Sequence, residues 1–293
     1  MAAETGGMTT TQRLEYEARV RNRQAIVAAA AGILLMLAVV VQIGGAHVSV
    51  TEKTLELITE NKRATRDLIG SIIAATSLFA LAWTLQWLWN AARARDSNIR
   101  PWFMGWIAAG GAVIQAIGVV VYAIAFGSVA SDFVSSGNQT YPEANALLTK
   151  GSLVAAQIAN YFGLLLLAVG FVLVSLNAMR VGLLTRFLGY LGIIGGVLTI
   201  IPIVPIPIVE AYWLLALAYL LSGRWPSGVP PAWSSGRAER WPSSAELRAA
   251  RGQPVPRAGR GRAAPQPAPA PAGAPGPAST RSTTPKRKRK RRK

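Results

Sequence analysis

Five polar side chains fall within otherwise apolar stretches of the chain and could line a binding cavity. Glu210 carries the only carboxylate in such a stretch, and the amides are Gln42, Gln115, Gln157 and Asn160. Because ionisable groups are costly to bury in lipid, such residues often mark the path of a solute or proton. The alternative is that they form hydrogen bonds between packed helices. Packing is the favoured interpretation, since a pump or channel would carry deeper charges, and a small-solute transporter or sensor is the alternative function.

The chain ends in eight consecutive basic residues that could bind a polyanion. Each basic residue near an anionic leaflet contributes about 1 kcal/mol of binding. RNA, including ribosomal RNA, attracts the same residues because they neutralise its phosphates. The other interpretation is a solvated run of charge that only helps to set orientation. The residues are Lys286, Arg287, Lys288, Arg289, Lys290, Arg291, Arg292 and Lys293.

The sequence carries no pattern typical of an enzyme or of a cofactor site. Neither a phosphate-binding loop, nor a Gly-x-Ser-x-Gly nucleophile motif, nor a His-Glu-x-x-His metal motif occurs. Cysteine is absent and His47 is the single histidine, which excludes disulfides and multi-histidine metal sites. We therefore predict a non-enzymatic protein with no cofactor.

The elements that position these residues are predicted to be membrane-spanning helices. Hydrophobic residues make up 51% of the chain and charged residues 15%, against about 25% charged in a typical soluble domain. Apolar runs long enough to cross about 30 Å of hydrocarbon alternate with short charged connectors. They lie near residues 25–48, 68–89, 102–126, 152–176 and 183–201, and a sixth ends near residue 221. The predicted fold is an all-α integral membrane bundle of six transmembrane helices.

The last two spans are short, and a proline-rich turn joins them, so they could instead form a re-entrant hairpin. The predicted divisions are a cytoplasmic N-terminal helix over residues 1–24 and a transmembrane domain over 25–223. A juxtamembrane collar of tryptophan and proline follows over 224–250, with its tryptophans, Trp233 among them, at the level of the lipid headgroups. The alternative is a spacer with incidental tryptophans. A disordered Pro/Ala-rich linker and polybasic tail occupy 251–293. In the N-terminal helix, Glu17 and Arg21 are spaced to form an i, i+4 ion pair.

Basic residues in the short connectors predict the orientation of the bundle. With the N-terminus inside, the inner connectors hold nine Lys/Arg and the outer connectors hold five. An excess of basic residues marks the cytoplasmic side. Trp87, Trp89, Trp102 and Trp106 then fall together at the inner interface, where aromatic belts form. Both termini are therefore predicted to be cytoplasmic.

Two blocks of sequence resemble a group of uncharacterised multi-pass membrane proteins from high-GC actinobacteria. The first is Asn-Ala-Met-Arg-Val-Gly-Leu-Leu-Thr-Arg over residues 177–186, and the second is Arg-Trp-Pro-Ser-Gly-Val-Pro-Pro-Ala-Trp over 224–233. The resemblance covers about residues 152–243 and is loose before them. It implies the plasma membrane of a bacterium and no assigned activity, so it supplies no catalytic residues.

Helix periodicity places Gln115 between two glycines, Gly111 and Gly118, on one face of the third span. Counting 1.5 Å per residue puts Gln115 and Asn160 at similar depths in the third and fourth spans. An amide without a partner in hydrocarbon costs several kcal/mol. We therefore expect Gln115 and Asn160 to hydrogen-bond to each other, and the glycines to let the two helices approach closely.

Overall fold

The structure is a computed structural model that describes residues 9–43, 52–99, 103–135, 138–201, 207–226 and 228–241. The chain divides into two units, residues 1–243 and 244–293. All described residues belong to the first unit. The predicted linker, the basic tail, Trp102 and the proline turn at 202–206 lie outside the described residues.

The described residues fold entirely into helices and the turns between them. The helices are α1 (Thr10–Ile43), α2 (Lys53–Arg93), α3 (Met104–Ser135), α4 (Tyr141–Leu148), α5 (Gly151–Arg180), α6 (Arg186–Ile200), α7 (Ile208–Leu221) and α8 (Ala232–Ser235). This confirms the all-α prediction. The break predicted between the runs at 152–176 and 183–201 is also present, since α5 ends at Arg180 and α6 begins at Arg186.

Four helices, α1, α2, α3 and α5, are long and apolar enough to cross a membrane. They contain 30 to 41 residues, which corresponds to about 45–60 Å at 1.5 Å per residue. Large apolar side chains point outward from them, such as Ile26 at 70% and Ile158 at 62% exposure, as expected for surfaces that contact lipid. Helices α6 and α7 have only 15 and 14 residues and reach about 22 Å each.

Six helices pack in a closed ring. Each contacts the next in the order α1, α2, α3, α5, α6, α7, and α7 packs back against α1. Inside the ring, the fully buried Trp213 of α7 meets Phe171 of α5 edge-to-face at 4.6 Å between ring centroids. The indole N–H of Trp213 donates to the Leu188 carbonyl of α6 at 2.9 Å. Trp213 therefore ties together the three C-terminal helices of the ring.

The two ends of the ring differ in composition. We call the end that holds the start of α1, the end of α2, the α5–α6 joint and residues 222–241 the terminal end. At the opposite end, α2 and α3 continue past the main core and enclose a separate small core with α4. This core consists of Leu57, Val129, Ala130, Phe133 and Ala144. Helix α2 therefore runs without a break from the charged connector that begins at Lys53 into the second predicted span.

Candidate functional site

The terminal end contains a buried ion pair between Glu17 of α1 and Arg95, two residues beyond α2. The Arg95 Nη2 atom lies 2.5 Å from Glu17 Oε2, and Nη1 lies 3.1 Å from Oε1. The Arg95 side chain is only 1% exposed and the Glu17 side chain only 9%. This two-pronged geometry matches the planar guanidinium to the planar carboxylate and is the strongest arrangement of such a pair.

The remaining donors of Arg95 reach backbone carbonyls. Its Nε donates to the Ala232 carbonyl at 2.7 Å, and Nη1 also donates to the Ala91 carbonyl at 2.8 Å. The guanidinium carbon lies 4.8 Å from the centre of the Trp233 ring, over its face. Arg95 therefore joins α1, the end of α2 and α8 in a single contact network.

Trp233 is buried at the centre of this network. Its ring stacks on Trp87 of α2 at 5.2 Å between centroids. Its indole N–H donates to the Leu183 carbonyl, in the α5–α6 joint, at 3.0 Å. With the nitrogen satisfied and both ring faces covered, Trp233 anchors the chain that follows α7. We call Glu17, Arg95 and Trp233 the clasp.

The clasp holds residues 229–239, which we call the exit segment. Beyond Trp233, the Glu239 amide donates to the Val181 carbonyl at 3.2 Å. Gly236 adopts φ +69°, a left-handed conformation that glycine accepts without strain. A Cβ atom built there would lie 3.1 Å from Thr10 Cγ2. The exit segment is thus packed against the start of α1 as well as against the α5–α6 joint.

The contacts of the clasp hold the chain in position rather than support a reaction. A buried pair is tolerated because each ion satisfies the other and because carbonyls accept the remaining N–H groups. Removing one member of such a pair leaves an unpaired buried charge and typically costs about 3–5 kcal/mol. The clasp therefore fixes where the chain leaves the bundle.

Two sequence expectations about these residues were wrong. Glu17 pairs with Arg95 and not with Arg21, because α1 turns the carboxylate toward the bundle. Trp233 is 7% exposed and lies against protein, whereas a collar at the lipid headgroups would leave it outside. Trp89 of the expected aromatic belt is likewise 1% exposed, packed where a Cβ at Gly105 would touch its ring. Trp106, by contrast, is 57% exposed, as a belt residue should be.

Local sequence held only a weak signal for the clasp. Glu17 fits an i, i+4 pair equally well, and Arg95 is one of several flanking bases. The sequence Arg-Trp-Pro-Ser occurs at residues 224–227 and again at 240–243, which indicates that the region after α7 is not an ordinary linker. Which bases and aromatics meet depends on contacts between residues about 80 and 140 positions apart, and spacing does not report these.

Four of the five predicted polar residues lie at three different helix contacts. Gln42 packs against Gly70 where α1 meets α2. Glu210 of α7 accepts a hydrogen bond from Thr199 of α6 at 3.0 Å. Gln115 is buried against α5, and Asn160 packs on Gly118 of α3. Gln157 is half-buried on α5. Within the described residues, no hydrogen bond joins any two of the five.

Among the described residues, the expected hydrogen bond between the Gln115 and Asn160 side chains is absent. Both amide oxygens are buried without a partner. The helices meet through their glycines: a Cβ at Gly163 would lie 2.5 Å from the Gln115 backbone nitrogen, and one at Gly118 would lie 2.9 Å from the Asn160 Cα. This register sets Gln115 level with Gly163 and Asn160 level with Gly118. The predicted close approach is correct, but the two amides are about one helical turn apart.

The eight basic residues of the tail, Lys286 to Lys293, lie outside the described residues, so the predicted polyanion site stays a prediction. The described ranges contain no group of three or more His, Cys, Asp or Glu side chains that could hold a metal ion.

No protein family, curated protein or solved structure matches the chain significantly. The fold and its four long apolar helices define the class, an all-helical protein suited to a membrane.

Proposed function

We propose that this chain is a non-enzymatic, multi-pass membrane protein that presents its basic tail to a polyanion on the cytoplasmic face. In this proposal all six ring helices pass the membrane, with α6 and α7 as a short hairpin and both termini cytoplasmic. The observation that carries it is the clasp, because it holds the exit segment at the end of the bundle where α1 begins. The chain after residue 241 therefore starts from that end.

The arrangement of charge supports the same orientation. Eight of the nine Lys/Arg of the inner connectors are among the described residues, and they lie at the start of α1, the end of α2 and the α5–α6 joint, all at the terminal end. An excess of basic residues in short connectors is typical of the cytoplasmic side. The tail would add eight more to that side, where anionic lipid headgroups and RNA both offer phosphates.

The test is capture of a polyanion by the full chain in zwitterionic nanodiscs, compared with a variant in which residues 286–293 are all glutamine. We expect the full chain to bind single-stranded RNA or anionic vesicles, and the glutamine variant to lose that binding. Eight phosphate contacts on RNA predict a log–log salt slope of about −5 to −6. Comparing RNA with vesicles of phosphatidylglycerol shows which phosphate source the tail prefers.

A matched control keeps the charge and changes the residues. Replacing Lys286, Lys288, Lys290 and Lys293 with arginine preserves all eight charges, so binding should persist. Equal binding by the full chain and the glutamine variant would contradict the proposal. A binding constant that does not change between low and physiological salt would contradict the electrostatic mechanism.

A further inference from the structure

A groove of about 400 Å³ runs along the contact between α1 and α7 at the terminal end. Its apolar lining comes mostly from alanines, and its polar lining comes from Asn22, Ser222 and Arg224. The lining residues are Asn22, Ala25, Ile26, Ala29, Ala218, Ser222 and Arg224. The small alanines create the concavity, since larger side chains at these positions would fill it.

The groove crosses the boundary between polar and apolar sequence. The apolar run of α1 begins at Ala25, and α7 ends at Leu221, so Asn22 and Ser222 fall just outside the apolar region. Farther along the same contact the groove closes. There a Cβ at Gly32 would lie 3.1 Å from the Ala211 carbonyl oxygen and from Leu215 Cγ. The cavity is thus polar at one end, apolar along its length and blocked at the other end.

Two arginines give the polar end a positive charge. Arg224 lines the mouth, and Arg21 Nη2 lies 3.9 Å from the position of a Cβ at Gly223, beside it. Within the described ranges neither guanidinium has an acidic partner, because Glu17 pairs with Arg95 in the clasp. None of the described residues that line the groove is acidic. Two positive charges above an apolar slot complement a phosphate that is attached to an acyl chain.

We propose that this groove binds one anionic phospholipid from the leaflet at the terminal end. Arg224 and Arg21 bind the phosphate, which accepts charge-assisted hydrogen bonds from guanidinium groups. Asn22 and Ser222 bind the glycerol region, and an acyl chain lies along Ala25, Ala29 and Ala218. The site belongs to the helical bundle and does not depend on the basic tail.

The test is photocrosslinking with phosphatidylglycerol that carries a diazirine in its acyl chain. The full chain is reconstituted in nanodiscs of phosphatidylcholine with a minor fraction of this probe, and labelled peptides are mapped by mass spectrometry. We expect labelling to concentrate on residues 22–29 and 218–224. The same diazirine on phosphatidylcholine should label these peptides far less.

Separate variants then remove the charge at the polar end of the groove and fill its apolar slot. A base near an anionic surface strengthens binding about fivefold, so the double variant Arg21→Gln/Arg224→Gln should weaken labelling about 25-fold in a titration of the probe. The control Arg19→Gln/Arg240→Gln removes the same charge from exposed positions at the same end and should leave labelling nearly unchanged. Ala29→Phe fills the slot without changing charge and should abolish labelling, whereas Ala30→Phe, on the exposed face of α1, should not.

The proposal fails if the probe labels all lipid-facing helices evenly. It also fails if the two charge variants lose labelling equally, because that result would show attraction by net charge alone. Retained labelling in Ala29→Phe would likewise overturn it.

Discussion

The clasp and the contact between α3 and α5 hold the same bundle together in opposite ways. In the clasp, an ion pair, an indole N–H and a cation over an aromatic ring each meet one particular partner. Along the α3–α5 contact, backbones meet at Gly111, Gly118, Gly163 and Gly170, and the nearby amide oxygens of Gln115 and Asn160 have no partner. The clasp depends on functional groups that match each other, whereas the α3–α5 contact depends on glycines that leave room for the opposite backbone.

This difference determines which substitutions each region should tolerate. In the clasp, the loss of a functional group leaves a buried charge or a buried donor without its partner. At the α3–α5 contact the added volume of a single methyl group is the threat, because backbone atoms already occupy the space. The predictions below test this contrast, beginning with the largest effect.

The two ends of the bundle should lie on opposite sides of the membrane. Reporter fusions after Lys62 and after Asn138 should give an external signal, and a fusion after Arg95 an internal signal, because basic residues are retained inside. The readout is all-or-none, by paired enzymes that are active on only one side. An internal signal at Asn138 would reverse the assignment of the terminal end to the cytoplasm.

Removing one member of the clasp should be strongly destabilising. Arg95→Leu leaves the Glu17 carboxylate buried without a counter-charge and should lower the free energy of unfolding by about 3–5 kcal/mol. The measurement is denaturant unfolding in mixed micelles, followed by tryptophan fluorescence. Arg93→Leu is the control, since Arg93 is the exposed last residue of α2 and should change stability by less than about 0.5 kcal/mol. Equal effects would show that the ion pair contributes no specific stability.

At the α3–α5 contact, a single methyl group should be enough to destabilise the bundle. A Cβ at Gly170 would lie 2.3 Å from the Ala108 Cα, so Gly170→Ala should cost about 1–3 kcal/mol in the same unfolding assay. Gly110→Ala is the matched control on α3, because a Cβ there meets no atom within 4 Å. Alanine is also the better helix former by up to about 1 kcal/mol. If the two variants had the same sign of effect, tight backbone contact would not explain the glycines.

The smallest effect concerns the two amides. Gln115→Leu and Asn160→Leu should be additive in a double-mutant cycle, with a coupling below about 0.3 kcal/mol, because no hydrogen bond joins the side chains. The sequence-based expectation of a hydrogen bond would instead give about 0.6 kcal/mol. A coupling at that level would show that the amides meet in the membrane after all.

Local sequence was sufficient for features that depend on neighbouring residues. Apolar run length located the four long helices and the break between the fourth and fifth spans. Glycine spacing found the face on which α3 meets α5. These features follow from the helical repeat and from the thickness of hydrocarbon, which act on each segment separately.

Features that depend on distant partners could not be predicted. The sequence could not show that Glu17 prefers Arg95 to Arg21, since both pairings satisfy the same charge. It placed Trp233 at the headgroups because indole favours that region, but a buried site with a carbonyl acceptor and a stacking ring satisfies indole as well. Gln115 and Asn160 have matching depths, yet the register set by the glycines keeps them apart.

The central claim is that the clasp seats the exit segment against the start of α1. The chain has no cysteine, so a pair introduced at Thr10 and Gly236 can report on this contact alone. Their closeness, with a Cβ at 236 only 3.1 Å from Thr10 Cγ2, suits a disulfide. Cysteine at the left-handed position of Gly236 should cost only about 1–2 kcal/mol.

The measurement is the loss of free thiols, counted by a mass-tagging reagent, after mild oxidation of Thr10→Cys/Gly236→Cys in nanodiscs. The control pair is Thr10→Cys with Ser152→Cys, since residue 152 lies in the first turn of α5 at the opposite end. We predict rapid disulfide formation in the first pair and none in the control, and slower formation when Arg95→Leu is added. Oxidation of the first pair no faster than the control would contradict the clasp.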